Sequence, residues 1–385
     1  MPHTISPKRT ASSFAMLSLL GALSVPAFLQ AQPTLEDSPI RLSSNENAFG
    51  FTPKAKESMI KYIENGGYYN RNNVSELVSV LAKKENVSAD QIITTAGSGP
   101  VLMMTALAYA EPGKNVVTTA MGYTQLTRKF EAHGGEVRYA PLSEDMGYDF
   151  AALKAAIDED TVIVYICNPN NPTGSLANPN ELKQFIMSVP KDILVFVDEA
   201  YLELSEGSFA MNTMSPMVKI RKNMLLARTF SKSYGMAGFR VGYGVGDPAV
   251  IEKIRHYYMG PPTYLTAIAA VEAIKDTEHM AANVKRYQTV RDYTEAGFDS
   301  LGVPYVDPQG AFIYFNSGLQ VDELRKAMSD AGILISGSRE SGVEPGTYSD
   351  WARVSIGKKE EMDAFLTTLA GLLGKEFSPS SDLNI

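Results

Sequence analysis

Short apolar runs and stretches of helical spacing alternate along most of this chain. Val74, Leu77, Val78 and Leu81 recur at three- and four-residue intervals, which is one face of a helix. A β-prone run at 91–95 follows and ends at Gly97-Ser98-Gly99, so strand, loop and helix are expected in that order, the helix opening near Pro100. Further apolar runs at 115–118, 137–139, 161–167, 193–198, 224–228 and 240–245 are separated by helix-like segments. The pattern predicts an α/β fold whose large domain is a mostly parallel, helix-covered sheet. After Tyr264 long helical patterns take over, with strands expected at 311–316 and 352–356, a helix near 321–329 and a closing helix. This reads as a smaller α+β domain. The division expected is a large domain over 61–262, a small one over 263–375, an N-terminal segment 32–60 joining the small domain, and a frayed tail at 376–385.

With 385 residues there is room for two domains of ordinary size. A composition of 44% hydrophobic and 20% charged residues excludes a disordered or multi-span membrane chain. Lys and Arg number 35 against 43 Asp and Glu, a net charge of -8 that gives no support to nucleic-acid binding and turns attention to small molecules. Cys167 is the only cysteine, and the four histidines make no ligand-spaced cluster with it, so neither a disulfide nor a metal site is expected.

The first residues read differently. Lys8 and Arg9 precede an uncharged run with an apolar centre at 14–29 and small residues at its end, the pattern of a cleavable export signal over 1–31, cut after Ala27 or Ala31. Export to the periplasm is expected on that reading, with a cytoplasmic location if the segment does not act as a signal. The run is interrupted by Gly21, Ser24 and Pro26, which argues against a membrane anchor.

Several segments place reactive side chains at strand ends. Gly97-Ser98-Gly99 opens a helix whose free amides suit a phosphate, although such a turn is also ordinary chain reversal. The run Asn168-Pro169-Asn170-Asn171-Pro172-Thr173-Gly174 falls at the carboxyl end of a strand, where open α/β sheets bind ligands, and also reads as a plain turn. Asp198 ends a buried strand beside Glu199 and just before Tyr201; a carboxylate there needs a cation, or else caps the next helix. The twelve residues from Thr229 to Arg240 combine hydroxyls, Lys232, glycines and a guanidinium, which describes an oxyanion site beside a lysine made nucleophilic by a neighbouring cation.

Taken together and in this order, these segments resemble the fold-type I pyridoxal-phosphate aminotransferases of class I/II, and most closely the histidinol-phosphate aminotransferase branch. The resemblance runs from residue 40 to 373. It rests on Leu42-Ser43-Ser44-Asn45-Glu46-Asn47, on 168–174, 197–201 and 229–240, and on Ala352-Arg353-Val354-Ser355-Ile356-Gly357. It implies pyridoxal 5'-phosphate as cofactor, with Lys232 as its covalent anchor and acid/base, Asp198 paired with the pyridine nitrogen, and Asn171 and Tyr201 on the ring oxygen. Tyr123 would stack on the ring. Ser98, Gly99, Thr229, Ser231 and Arg240 would hold the phosphate, joined by Tyr69 from a second subunit of a homodimer. Arg353 would clamp the substrate α-carboxylate, and Asn47, in a segment with Asn45 and Glu46, would close over the substrate.

Two positions depart from the family pattern. Ser336 follows Gly332-Ile333-Leu334-Ile335 where the family generally has an arginine for substrate phosphate, with Arg339 three residues on, and Asn70 follows Tyr69 where proline is usual. The expected activity is amino transfer between an amino acid and a 2-oxo acid by a ping-pong cycle, histidinol-phosphate aminotransferase-like and open to another substrate. A decarboxylase or amino-acid oxidase of the same fold is the alternative, and a binding protein without catalysis a third.

Overall fold

The computed structural model describes residues 38–69 and 72–380. The expected export signal lies outside the described residues, and the last five residues of the expected tail do too.

In chain order the elements begin with β1 (Ile40–Arg41), α1 (Pro53–Tyr62), α2 (Asn72–Glu85), β2 (Ile92–Thr95), α3 (Gly99–Tyr109), β3 (Asn115–Thr119), α4 (Gln125–Glu131) and β4 (Glu136–Ala140). They continue with α5 (Phe150–Ala155), β5 (Thr161–Cys167), α6 (Pro179–Ser188), β6 (Leu194–Asp198), α7 (Phe209–Asn212), β7 (Met224–Thr229), β8 (Gly242–Gly246), α8 (Pro248–Arg255) and α9 (Tyr264–Lys275). The chain closes with α10 (Thr277–Leu301), β9 (Phe312–Asn316), α11 (Val321–Asp330), β10 (Ile333–Leu334), β11 (Trp351–Ser355) and α12 (Lys359–Leu372).

Seven strands form one sheet in the order β2-β8-β7-β6-β5-β3-β4. Only β8 runs antiparallel to its neighbours; β7, β6, β5, β3 and β4 are mutually parallel. Alternate residues of the central strands enter two separate apolar cores. Val117, Val164, Val195 and Leu226 pack with α6 and α9 on one face, and Val116, Ile163, Leu194 and Leu225 pack with α3, α4 and α8 on the other. Burial on both faces is why these strands read as continuous apolar runs.

A third core gathers β9, β11, α10, α11 and α12. The N-terminal segment enters it through Leu42 while β1 pairs with β10. The change in packing falls between α9 and α10, because Ala267, Ala270 and Ala273 of α9 belong to the core of the large sheet. From Pro39 onward the chain makes one contact unit.

Candidate active site

The loops after β5, β6 and β7 leave the carboxyl ends of adjacent parallel strands and meet in a cavity of about 680 Å³. Eleven of the residues singled out in the sequence line it: Ser98, Gly99, Tyr123, Asn171, Asp198, Tyr201, Thr229, Ser231, Lys232, Arg240 and Arg353.

Strand alternation sets which side chains reach the cavity. Asp198 and Thr229 project toward it, whereas Glu199 and Arg228 project to the opposite face of the sheet, where they pair with each other. Asp198 is buried, and among the described residues its Oδ1 has no hydrogen-bond partner. Burial pushes its carboxyl up to about 7. A buried carboxylate oxygen left without a partner at a cavity wall suits a donor from a ligand.

Lys232 follows the end of β7, and its Nζ donates to the carbonyls of Asn45 (2.8 Å) and Ser44 (3.4 Å). Burial, reinforced by the Arg353 guanidinium, lowers its ammonium to about 8. An amine with that value has a useful neutral fraction near pH 7, as a nucleophile or proton carrier needs. The Tyr201 hydroxyl accepts from Asn45 Nδ2 at 3.0 Å and from Asn171 Nδ2 at 3.5 Å, so it sits oriented at the cavity wall.

An anion site lies at one end. Arg240 donates to Ser231 Oγ at 3.4 Å and to the Ala237 carbonyl at 2.8 Å, from a left-handed backbone conformation (φ 54°). Ser231 and Thr229 share a hydroxyl hydrogen bond of 2.9 Å, and α3 presents its first-turn amides at Ser98 and Gly99. Gly97 adopts φ 88°, which favours glycine, and a Cβ on it would also displace the Arg240 guanidinium, lying 2.2 Å from Nη2. At the other end Arg353, 1% exposed, donates to Asn171 Oδ1 at 2.5 Å and to the Ser43 carbonyl at 2.7 Å, while its Nε has no partner among the described residues.

Two expected site residues stand elsewhere. Asn47 does not line the cavity; its Nδ2 donates to the carbonyls of Lys232 (2.9 Å) and Ser233 (3.2 Å), so it holds the lysine loop in place instead of facing a substrate. The same docking brings Gly50 so close to Gly235 that a Cβ on the latter would meet the Gly50 carbonyl at 2.2 Å. Tyr69 is fully exposed and contributes nothing to this chain's own cavity. Conversely, Gln125 lines the cavity and accepts from the Tyr123 hydroxyl at 2.9 Å. The only signal for it was a polar residue opening the helix after β3.

The seven-stranded sheet with its lysine, orphaned aspartate and anion pocket defines the class: a fold-type I, pyridoxal-phosphate-dependent transferase. The chain belongs to the family "Aminotransferase class I and II", whose model matches residues 37–369. It is 34% identical to the histidinol-phosphate aminotransferase of Limosilactobacillus fermentum, over 87% of this chain and 91% of that one. It is 31% identical to the histidinol-phosphate aminotransferase of Halalkalibacterium halodurans, over 89% of this chain and 91% of that one. The solved histidinol-phosphate aminotransferase of Sinorhizobium meliloti, in complex with pyridoxal-5'-phosphate, shares the fold with a TM-score of 0.79 at 24% identity, covering 93% of this chain and 99% of that one. The protein is thus a pyridoxal-phosphate-dependent aminotransferase acting on amino-acid and 2-oxo-acid substrates.

One expectation is overturned. The relatives that the chain matches over 86–89% of its length are histidinol-phosphate aminotransferases, which contradicts the expected exported, periplasmic location. Among the described residues no helix is long and apolar enough to cross a membrane.

The raised carboxyl has a measurable consequence. Between the ordinary carboxylate range and pH 7, folded cofactor-free protein keeps a proton on Asp198 that the unfolded chain has given up, so stability falls as pH rises through that window. Asp198→Asn is expected to raise the unfolding temperature of cofactor-free protein at about pH 8 and to leave it unchanged near about pH 4. Calorimetry at both values checks the sign.

Proposed function

We propose that the cavity holds pyridoxal 5'-phosphate and that the enzyme transfers amino groups among substrates carrying a second anionic group, in the manner of histidinol-phosphate aminotransferases. One observation carries this reading. The guanidinium groups of Arg240, Arg339 and Arg353 face one cavity, and none has a carboxylate within ion-pair distance among the described residues. The cofactor phosphate accounts for Arg240 and a substrate α-carboxylate for Arg353. The third cation is left for the far end of the substrate.

Arg339 is aimed by its own surroundings. Ser336 pairs with Arg353 through two 3.0 Å backbone hydrogen bonds and accepts from Arg339 Nε at 3.0 Å, which sets the two guanidinium groups along one wall. Arg339→Gln is expected to lower kcat/KM about 10- to 100-fold for amino donors bearing a distal carboxylate or phosphate and to spare neutral amino acids. Equal losses on both classes, or none on either, would contradict the assignment.

When bound, the cofactor supplies an electron-accepting ring that stabilises negative charge at the substrate Cα. Lys232 would anchor it and carry the proton at that carbon, and Asp198 would keep the pyridine nitrogen protonated. Tyr201, oriented by Asn45 and Asn171, would hold the ring oxygen, and Tyr123 would line the ring. Ser98, Gly99, Thr229, Ser231 and Arg240 hold the phosphate. Asn47 acts as a positioning residue for the lysine loop. The active form is a homodimer in which Tyr69 reaches a partner's phosphate site, a reading supported by the exposure of Ile60, Ile63, Tyr68 and Tyr69 within ten residues of chain.

A further inference from the structure

Behind the cofactor pocket, on the opposite face of the large sheet, lies a buried charge cluster that the proposed chemistry does not use. Arg228, 1% exposed, places Nη2 2.6 Å from Glu199 Oε2 and 3.6 Å from Glu85 Oε2, with the Phe209 ring centroid 4.5 Å from its guanidinium carbon. Nη2 also donates to Thr213 Oγ1 at 2.6 Å. Glu199 is held from two further directions, accepting from Met214 N at 2.6 Å and from Thr213 Oγ1 at 3.0 Å. Glu85, at the end of α2, accepts from the Tyr243 hydroxyl of β8 at 2.7 Å. Lys84 and Glu203 complete the cluster, 3.9 Å apart.

The positions of these residues in the chain matter more than their number. Glu199 directly follows Asp198, and Arg228 directly precedes Thr229 and lies four residues ahead of Lys232. The backbone joins the two strand ends as well, since Glu199 N donates to the Ala227 carbonyl at 3.0 Å. One ion pair on the far face therefore spans the two strand ends whose near faces carry Asp198 and Thr229, with Lys232 in the loop that follows. An isolated buried carboxylate at Glu199 would also repel charge on Asp198.

We propose that Arg228 is a positioning residue for the cofactor site: paired with Glu199 across β6 and β7, it holds the Asp198 strand end against the strand end that leads to Lys232. This rests on the reading of the cavity given above.

The test titrates pyridoxal phosphate into cofactor-free wild type, Arg228→Met, Glu199→Gln and the double variant. It reads the dissociation constant, the pH midpoint of the visible band of lysine-bound cofactor, and the unfolding temperature. The titratable groups that act on Asp198 are Lys232, Cys167, Tyr123, Tyr148 and Tyr165 around it and Glu199 from the far face of the sheet. Arg228→Met is expected to weaken cofactor binding about tenfold or more and to shift the pH midpoint, and the double variant to be no worse than the worse single variant, as for residues acting through one contact.

Unchanged affinity and pH midpoint in Arg228→Met with only a lower unfolding temperature would overturn the proposal, and so would additive losses in the double variant. If Arg228→Met does not fold, Arg228→Lys and Glu199→Gln carry the same readouts, and wild-type cofactor affinity in both overturns it. A wild type that shows no visible band would instead refute the cofactor assignment itself.

Discussion

Lys232→Ala is expected to abolish covalent attachment of pyridoxal phosphate and to reduce transamination by about 10⁴-fold or more, since the anchor and the proton carrier are lost together. The fold should survive. Among the described residues the Lys232 amine makes hydrogen bonds only to the Asn45 and Ser44 carbonyls, and Asn47 grips the loop through backbone carbonyls that the substitution leaves in place. Borohydride reduction followed by mass spectrometry reads the attachment, and a single-turnover assay reads the chemistry. A variant that still retained the cofactor covalently at its usual site would mean that another amine is the anchor.

The second large effect is expected at Arg353. Its guanidinium is buried and already oriented by Asn171 and the Ser43 carbonyl, and among the described residues its Nε has no partner. Two charge-assisted hydrogen bonds to a substrate carboxylate contribute about 3–4 kcal/mol, so Arg353→Ala should lower kcat/KM about 10²- to 10³-fold, mostly through KM. Burial lowers its own ionisation to about 10, still far enough above neutrality to keep the clamp charged through the working range. The cofactor should remain bound in this variant. Unchanged apparent affinity for amino acids would remove Arg353 from the substrate site.

Much of the architecture was legible in the chain because strands buried on both faces leave unbroken apolar runs. The run at 161–167 is β5 to the residue, and the runs ending at Asp198 and near Arg228 became β6 and β7. The same runs announced the site, since parallel strands deliver their following loops to one edge, and Asn171, Asp198, Tyr201 and Lys232 do meet there.

What escaped the sequence depends on contacts between distant segments. Asn47 looked like a substrate residue by position, yet its amide is consumed by carbonyls some 185 residues away, which no local pattern reveals. Gln125 carries no motif at all. Arg228 and Glu85 read as ordinary charged residues until β7 and α2 are packed together, and only then does a buried ion pair behind the pocket emerge. The sequence character of α9 matches the helices that follow it, yet its alanine-rich face packs into the first core.

The most direct test of the central claim is the visible absorbance spectrum of the purified protein with pyridoxal phosphate, followed during addition of amino acids and then of 2-oxo acids. The account predicts a visible band that depends on Lys232, bleaches with an amino donor and returns with a 2-oxo acid, most readily for substrates bearing a second anionic group. A folded protein that shows no such band, or a band that no amino donor bleaches, would contradict it.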